Sequence, residues 1–238
     1  MKSMTTTRRT TAALLVAIAA LAAACDDDSA DEASLTPAGC DAFAAIGASM
    51  FGDPSGVPDN VDILVAETSD DLEDAATIYG DAMVAAMSGD EAAMDSAEFA
   101  SAAEDVGAAA TQSCDTVATL AVTGVDFAYE GLPEHVEAGR VGIDFTNGTT
   151  TDEEHEMLVL QRIGDSDETV DELLELPEEE LFSKVAPMAV TYADEAGGTN
   201  HALVDLEAGN YIAICMIPTA GEGPPHALNG MVTEFTVG

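Results

Sequence analysis

From Pro37 to about Leu120, apolar residues recur at spacings of three and four. Leu72, Ala75, Ala76, Tyr79, Met83, Ala86 and Met87 make one such stripe, and Phe99, Ala102, Ala103, Val106 and Ala110 make another. That period puts the apolar side chains on one face of an α-helix. Gly52-Asp53-Pro54-Ser55-Gly56 ends a first helix near residues 38–50, and Ser88-Gly89-Asp90 separates the later two. A small antiparallel helical bundle over residues 37–120 is predicted, its alanines and methionines filling the core.

After about Ala121 the period changes. Val125–Tyr129, Arg140–Thr146, His155–Arg162, Met188–Tyr192, Ala202–Leu206, Asn210–Ile217 and Met231–Val237 are short runs rich in Val, Ile, Tyr and Phe, bounded by turn residues. Helix interrupts them over Thr169–Lys184, with Leu173, Leu174, Leu176 and Leu181 on its apolar side and a break at Pro177. Some seven strands in residues 121–238 fit a β-sandwich or barrel. The fold class is therefore α+β, helices first and strands second.

The first 36 residues belong to neither pattern. Lys2, Arg8 and Arg9 precede an apolar run from Ala12 to Ala24, too short for a membrane span, so residues 1–24 read as a signal peptide. The run closes on Leu21-Ala22-Ala23-Ala24-Cys25, which resembles the lipobox of bacterial lipoproteins. That resemblance implies diacylglycerol on Cys25 and a lipid-anchored protein on the extracytoplasmic face of the cell envelope, with the membrane as its first partner. Residues 25–36, acidic from Asp26-Asp27-Asp28 onward, read as a solvated tether.

Charge narrows the partners. The chain carries 46 acidic residues against six basic ones, a formal charge of −40. Three of the bases lie in the leader, which holds no acid, so the rest of the chain has 46 acids against three bases, or −43. Such a field repels phosphate backbones and excludes nucleic acid as a partner, whereas it favours cationic ones. The acids are spread evenly, which reads as a solvated surface. Tryptophan is absent and aromatics make up 5% of the chain, so broad aromatic platforms are not expected.

Four cysteines need assignment. Cys25 takes the lipid. Cys40 and Cys114 bracket the helical stretch and are expected to staple its ends in an oxidising compartment, although a bridge from Cys215 to either stays open. Left over otherwise, Cys215 is a thiol that a metal could occupy.

The chemistry concentrates in four residues. His155, Cys215, His226 and Met231 supply two imidazoles, a thiolate and a thioether, the donor set of a trigonal copper site with a weak axial ligand. Gly209-Asn210-Tyr211-Ile212-Ala213-Ile214-Cys215 resembles the penultimate-strand signature of the cupredoxins, with a Gly and a Tyr ahead of the ligand cysteine. His226-Ala227-Leu228-Asn229-Gly230-Met231 has the H-x-x-x-G-M form of that family's second histidine and methionine. Phe145-Thr146-Asn147, followed by His155-Glu156, is similar to its strand, asparagine and first histidine.

The resemblance spans roughly residues 122–238 and implies a Greek-key β-sandwich binding one copper ion for electron transfer, without catalysis. It further implies support for Cys215 from Asn147, and an exposed edge of His226 as the exit for an electron to a redox partner. The Cys215-to-His226 interval holds ten residues, longer than in the family's small carriers. Asp152, Glu153 and Glu154 precede His155, where they would either favour the higher charge state of a nearby metal or simply be solvated. His135 and His201 lack partners at useful spacing and are read as surface or loop residues. No H-E-x-x-H, G-x-S-x-G or phosphate-binding glycine loop occurs, which argues against an enzyme. Copper storage or delivery to an exchange partner, and a metal-free fold used in adhesion or assembly, are the alternatives.

Overall fold

A computed structural model describes residues 33–151, 153–164 and 168–238. Cys25, the leader and nearly all of the tether lie outside them. Four helices come first: α1 (Pro37–Ser49), α2 (Val57–Ala66), α3 (Glu73–Met87) and α4 (Ala97–Ser113). Their starts follow from the sequence. Thr36 accepts from the Gly39 N–H ahead of a proline at the first position of α1, and Ser96 accepts from the Phe99 N–H at the start of α4. The predicted stripes lie on the buried faces of α3 and α4, with Ala76, Val106 and Ala110 wholly inaccessible, as are Ile46 of α1 and Leu64 of α2. Cys40 and Cys114 are joined as a disulfide, their Cα atoms 5.7 Å apart. None of the described helices is long and apolar enough to cross a membrane.

The strands are β1 (Ala118–Val125), β2 (Ala128–Glu130), β3 (His135–Val136), β4 (Gly139–Asn147), β5 (His155–Arg162), β6 (Val185–Ala193), β7 (Thr199–Leu206), β8 (Gly209–Ile214) and β9 (Val232–Val237). Between β5 and β6 lie α5 (Val170–Leu174) and α6 (Glu178–Lys184), parted at Pro177 as predicted. One sheet has the order β2-β1-β4-β7 and the other β3-β9-β8-β5-β6. The β1–β4 and β3–β9 pairs are parallel and the rest antiparallel.

Side-chain alternation assigns three layers of core. Phe145, Val159, Tyr211 and Phe235 fill the space between the sheets. On β7, Val204 joins that core while its neighbour Leu203 points the other way, into the helical core. On the far face of the five-stranded sheet, Leu160, Ile212 and Ile214 pack against Leu173 of α5. Arg140 ties the helical layer to the sheet, holding Asp41 of α1 at 2.7 Å and Asp205 of β7 at 3.1 Å.

The α+β expectation holds, and β5 has the predicted bounds. Other strands differ for local reasons. β1 begins at Ala118, before the expected change of period, because pairing with β4 starts there (Ala118 opposite Val141), although Ala118-Thr119-Leu120-Ala121 has the composition of the preceding helix. β8 stops at Ile214 because the Met216 N–H is taken by the Glu156 carboxylate at 2.8 Å instead of by a strand carbonyl. His135 is a surface residue as read, on β3, whereas His201 lies on β7 and is partly buried. His135 pairs with Thr236 on β9, and His201 is held through Nδ1 by Asp144 at 2.6 Å, facing the helices.

Candidate metal centre

His155 opens β5, Cys215 follows the end of β8, His226 begins a short 3-10 turn (His226–Asn229), and Met231 precedes β9. The fold brings the first three together. One donor atom from each of His155, Cys215 and His226 lies within 4.8 Å of the others, and all three side chains are buried. Cys215 Sγ is 3.4 Å from His226 Nδ1, and the two imidazole centroids are 5.1 Å apart. Met231, fully buried, comes from the same end of the sandwich. A Cβ built on Gly124 would meet Phe145, the Met231 methyl at 3.0 Å and the His155 Cβ at 3.3 Å, so a larger residue on β1 would push into this cluster.

The ten-residue interval does not separate the candidate donors. The His226 N–H donates to the Ile217 carbonyl (2.9 Å) and the Thr219 N–H to the Pro224 carbonyl (3.0 Å), closing residues 218–225 into a side hairpin. The Thr219 hydroxyl donates to the same Pro224 carbonyl and accepts from the Asn229 side chain, which anchors the hairpin to the 3-10 turn. Nearer the site, the Ala227 N–H donates to the Cys215 carbonyl, the Cys215 N–H to the Met231 carbonyl, and the Met231 N–H to the His226 carbonyl. Gly230, at φ 109°, ends the turn in the left-handed region and sends Met231 back toward the core. The G of H-x-x-x-G-M therefore has a conformational job.

Two expectations are corrected. Asn147 does not bond Cys215. Its side-chain N–H groups donate to the Glu153 and Ala193 carbonyls, and its oxygen accepts from the Thr149 N–H, so it folds the crossing that delivers His155 to the site. Nor is the edge of His226 exposed: the residue is 0% accessible, and its Nε2 lies 3.3 Å from a Glu153 oxygen, without hydrogen-bond alignment. The same Glu153 oxygen accepts from the Ala220 N–H at 3.3 Å. With Glu156 on the Met216 N–H, two carboxylates next to His155 in sequence thus brace the loop that carries His226. Asp152 lies outside the described residues.

Sequence reasoning missed Phe127. β1 and β2 are joined by Asp126 and Phe127 alone, at φ 32° and 70°. A two-residue hairpin with both φ positive ordinarily carries Asn-Gly or Asp-Gly, and a bulky residue held there costs about 1 kcal/mol. What holds it is packing: the Phe127 ring stands edge-on to His226 with centroids 5.0 Å apart. The missing glycine hid the turn from sequence.

The electrostatics suit a site that waits for a cation. Burial pushes the Cys215 thiol up to about 11, so without a metal it keeps its proton. Burial, then the neighbouring His226, hold His155 below its usual range, leaving it a neutral imidazole. Both nitrogens of His155 and Nε2 of His226 are buried without a hydrogen-bond partner. Buried polar atoms are normally paired, so three orphans at one point mark a place for a ligand. One soft sulfur with two imidazoles, and a thioether nearby, is a donor set that fits copper.

No protein-family model and no curated protein matches the chain. Solved structures similar to it include dithionite-reduced auracyanin from the photosynthetic bacterium Roseiflexus castenholzii, at TM-score 0.36 and 18% identity, covering 52% of this chain and 98% of that one. Auracyanin A, a "blue" copper protein from Chloroflexus aurantiacus, has TM-score 0.33 and 19% identity over 50% of this chain and 98% of its own. Rusticyanin from Thiobacillus ferrooxidans has TM-score 0.33 and 16% identity over 52% and 84%. At such TM-scores these likenesses add nothing to the geometry above.

Proposed function

We propose that the protein is an exported, lipid-anchored copper protein of the cell envelope that carries single electrons. The observation behind this reading is the buried meeting of His155, Cys215 and His226, with three ring nitrogens left unpaired. His155, Cys215 and His226 would hold the ion and Met231 would supply the weak fourth contact. Copper bound there supplies a one-electron couple between its cuprous and cupric states. The chain's own part is to keep the donors fixed and dry, so that little rearranges between the two states. The surface charge favours a cationic redox partner. We further propose the division into leader (1–24), tether (25–36), helical region (37–120) and ligand-bearing sandwich (121–238), and no catalytic role.

Cu(II) titration of the purified protein tests the metal assignment. An intense visible thiolate-to-copper absorption is expected, and the reading is overturned if no such band forms or if it persists in Cys215→Ser. For the anchor, Cys25→Ser is expected to move the protein from the membrane to the soluble fraction. A second reading, copper storage or delivery, is favoured by one observation: His226 offers no exposed edge to a docking electron partner. Rapid transfer of Cu(I) to a soluble chelator, together with sluggish oxidation by soluble electron acceptors, would decide for it.

A further inference from the structure

Between the helical layer and the sheets lies a cavity of about 450 Å³, large enough for a small organic molecule. We propose that it binds an apolar organic cation, independently of whether copper fills the metal centre. Three aromatic rings form one wall: Phe43 and Tyr79 have centroids 5.7 Å apart, and Tyr79 stacks on Phe99 at 5.9 Å. Met83, Met94 and Met188 add thioether side chains from the helical and sheet sides. Such chains adapt to a guest's shape and pack well on rings. A bundle core filled only for stability would close this space, because an empty volume forfeits its dispersion contacts.

The polar groups choose the sign of the guest. Asp95 lines the cavity, as does Glu156, whose carboxylate is already taken by the Met216 N–H, and among the described residues no lysine or arginine does. Its histidine, His201, is already tied through Nδ1 to Asp144. The faces of aromatic rings attract cations, most strongly where water is excluded. The field of the whole chain, −43 beyond the leader, raises the local concentration of cations and repels anions. The cavity also gives the helical region a purpose that the metal centre leaves open.

Gly47 on α1 provides the test. It lines the cavity, and a Cβ built there has no heavy atom within 4 Å, so a side chain can start there without a backbone clash. Purified protein is titrated with three fluorescent probes: thioflavin T (cationic), Nile red (neutral) and anilinonaphthalene sulfonate (anionic). Thioflavin T is expected to bind once per chain and the anion not to bind. Gly47→Phe is expected to weaken thioflavin T by about tenfold or more, while Gly47→Ala leaves it within about twofold. Asp95→Asn, at an exposed position, is expected to weaken the cation by about threefold with Nile red unchanged. The proposal is overturned if Gly47→Phe folds, by its circular dichroism, and still binds thioflavin T as tightly. It is equally overturned if the anion binds as well as the cation, or if Asp95→Asn changes nothing; that last result needs no Gly47 variant to fold.

Discussion

The helical region and the ligand end of the sandwich are both buried, but they are held together by different means. The helical core is built largely from small side chains such as Ala42, Ala76, Ala102, Ala109 and Ala110. Each removes little apolar area from water, so packing alone stabilises weakly. A disulfide across a separation of 74 residues makes up part of the deficit. Among the described residues the ligand end has no covalent staple. There, paired backbone groups, a proline-rich side hairpin and two carboxylate braces fix the chain, while three imidazole nitrogens stay unpaired. The region without the clustered donors is stabilised covalently; the region that holds them gives up stability to keep them free.

Substitutions can break this contrast. The largest effect is expected from Cys215→Ser, which should abolish the copper absorption entirely while barely moving the metal-free melting temperature. Next, replacing Cys40 and Cys114 together by serine should cost about 4 kcal/mol, read as a helical transition that separates from and precedes loss of the strands in thermal circular dichroism. Coincident melting would show that the bundle does not rely on its staple. Asn147→Ala should cost about 2 kcal/mol in urea unfolding, because a fully buried amide loses three hydrogen bonds. It should also weaken copper binding, since the crossing it folds positions His155.

A smaller effect has the opposite sign. His155→Leu should stabilise the metal-free protein by about 1 kcal/mol and destroy the copper site, because it removes two unpaired buried nitrogens. Equal or lower stability would mean that those atoms are not the liability they look to be. The smallest effect concerns pH. The Cys215 pKa is raised on folding, so its contribution is complete below the ordinary 9.0 and is lost as pH climbs toward about 11. The His155 pKa is lowered on folding, so its contribution is present above 6.5 and fades as pH falls below that. In metal-free melts, Cys215→Ser should flatten the alkaline decline and His155→Leu should reduce the acidic one.

Much of this was legible beforehand where a local rule dominates. The alternation and branched residues of His155–Arg162 give β5 its observed bounds, and Pro177 parts α5 from α6 because proline cannot serve inside a helix. That His155, Cys215 and His226 belong together was readable from their types and from the motifs that resemble the cupredoxins, and the fold does bring the three side chains together. Phe127 was not, since its turn lacks the usual glycine. Asn147 was recognised as important but assigned to the wrong partner, because sequence shows that an amide is present and not where it points. The length of the Cys215–His226 interval also misleads, as a hairpin folded on itself adds residues without adding distance.

By itself, the sequence determined the order of helices and strands, the acidic surface and the candidate donors, because periodicity, charge and ligand chemistry belong to residues one at a time. Tertiary structure decided that the donors converge, that Glu153 lies over His226, and that helices and sheet leave a cavity with Asp95 at its edge. Those outcomes depend on register between strands distant in the chain, where a shift of one residue would turn His155 away from Cys215. No local pattern carries that information.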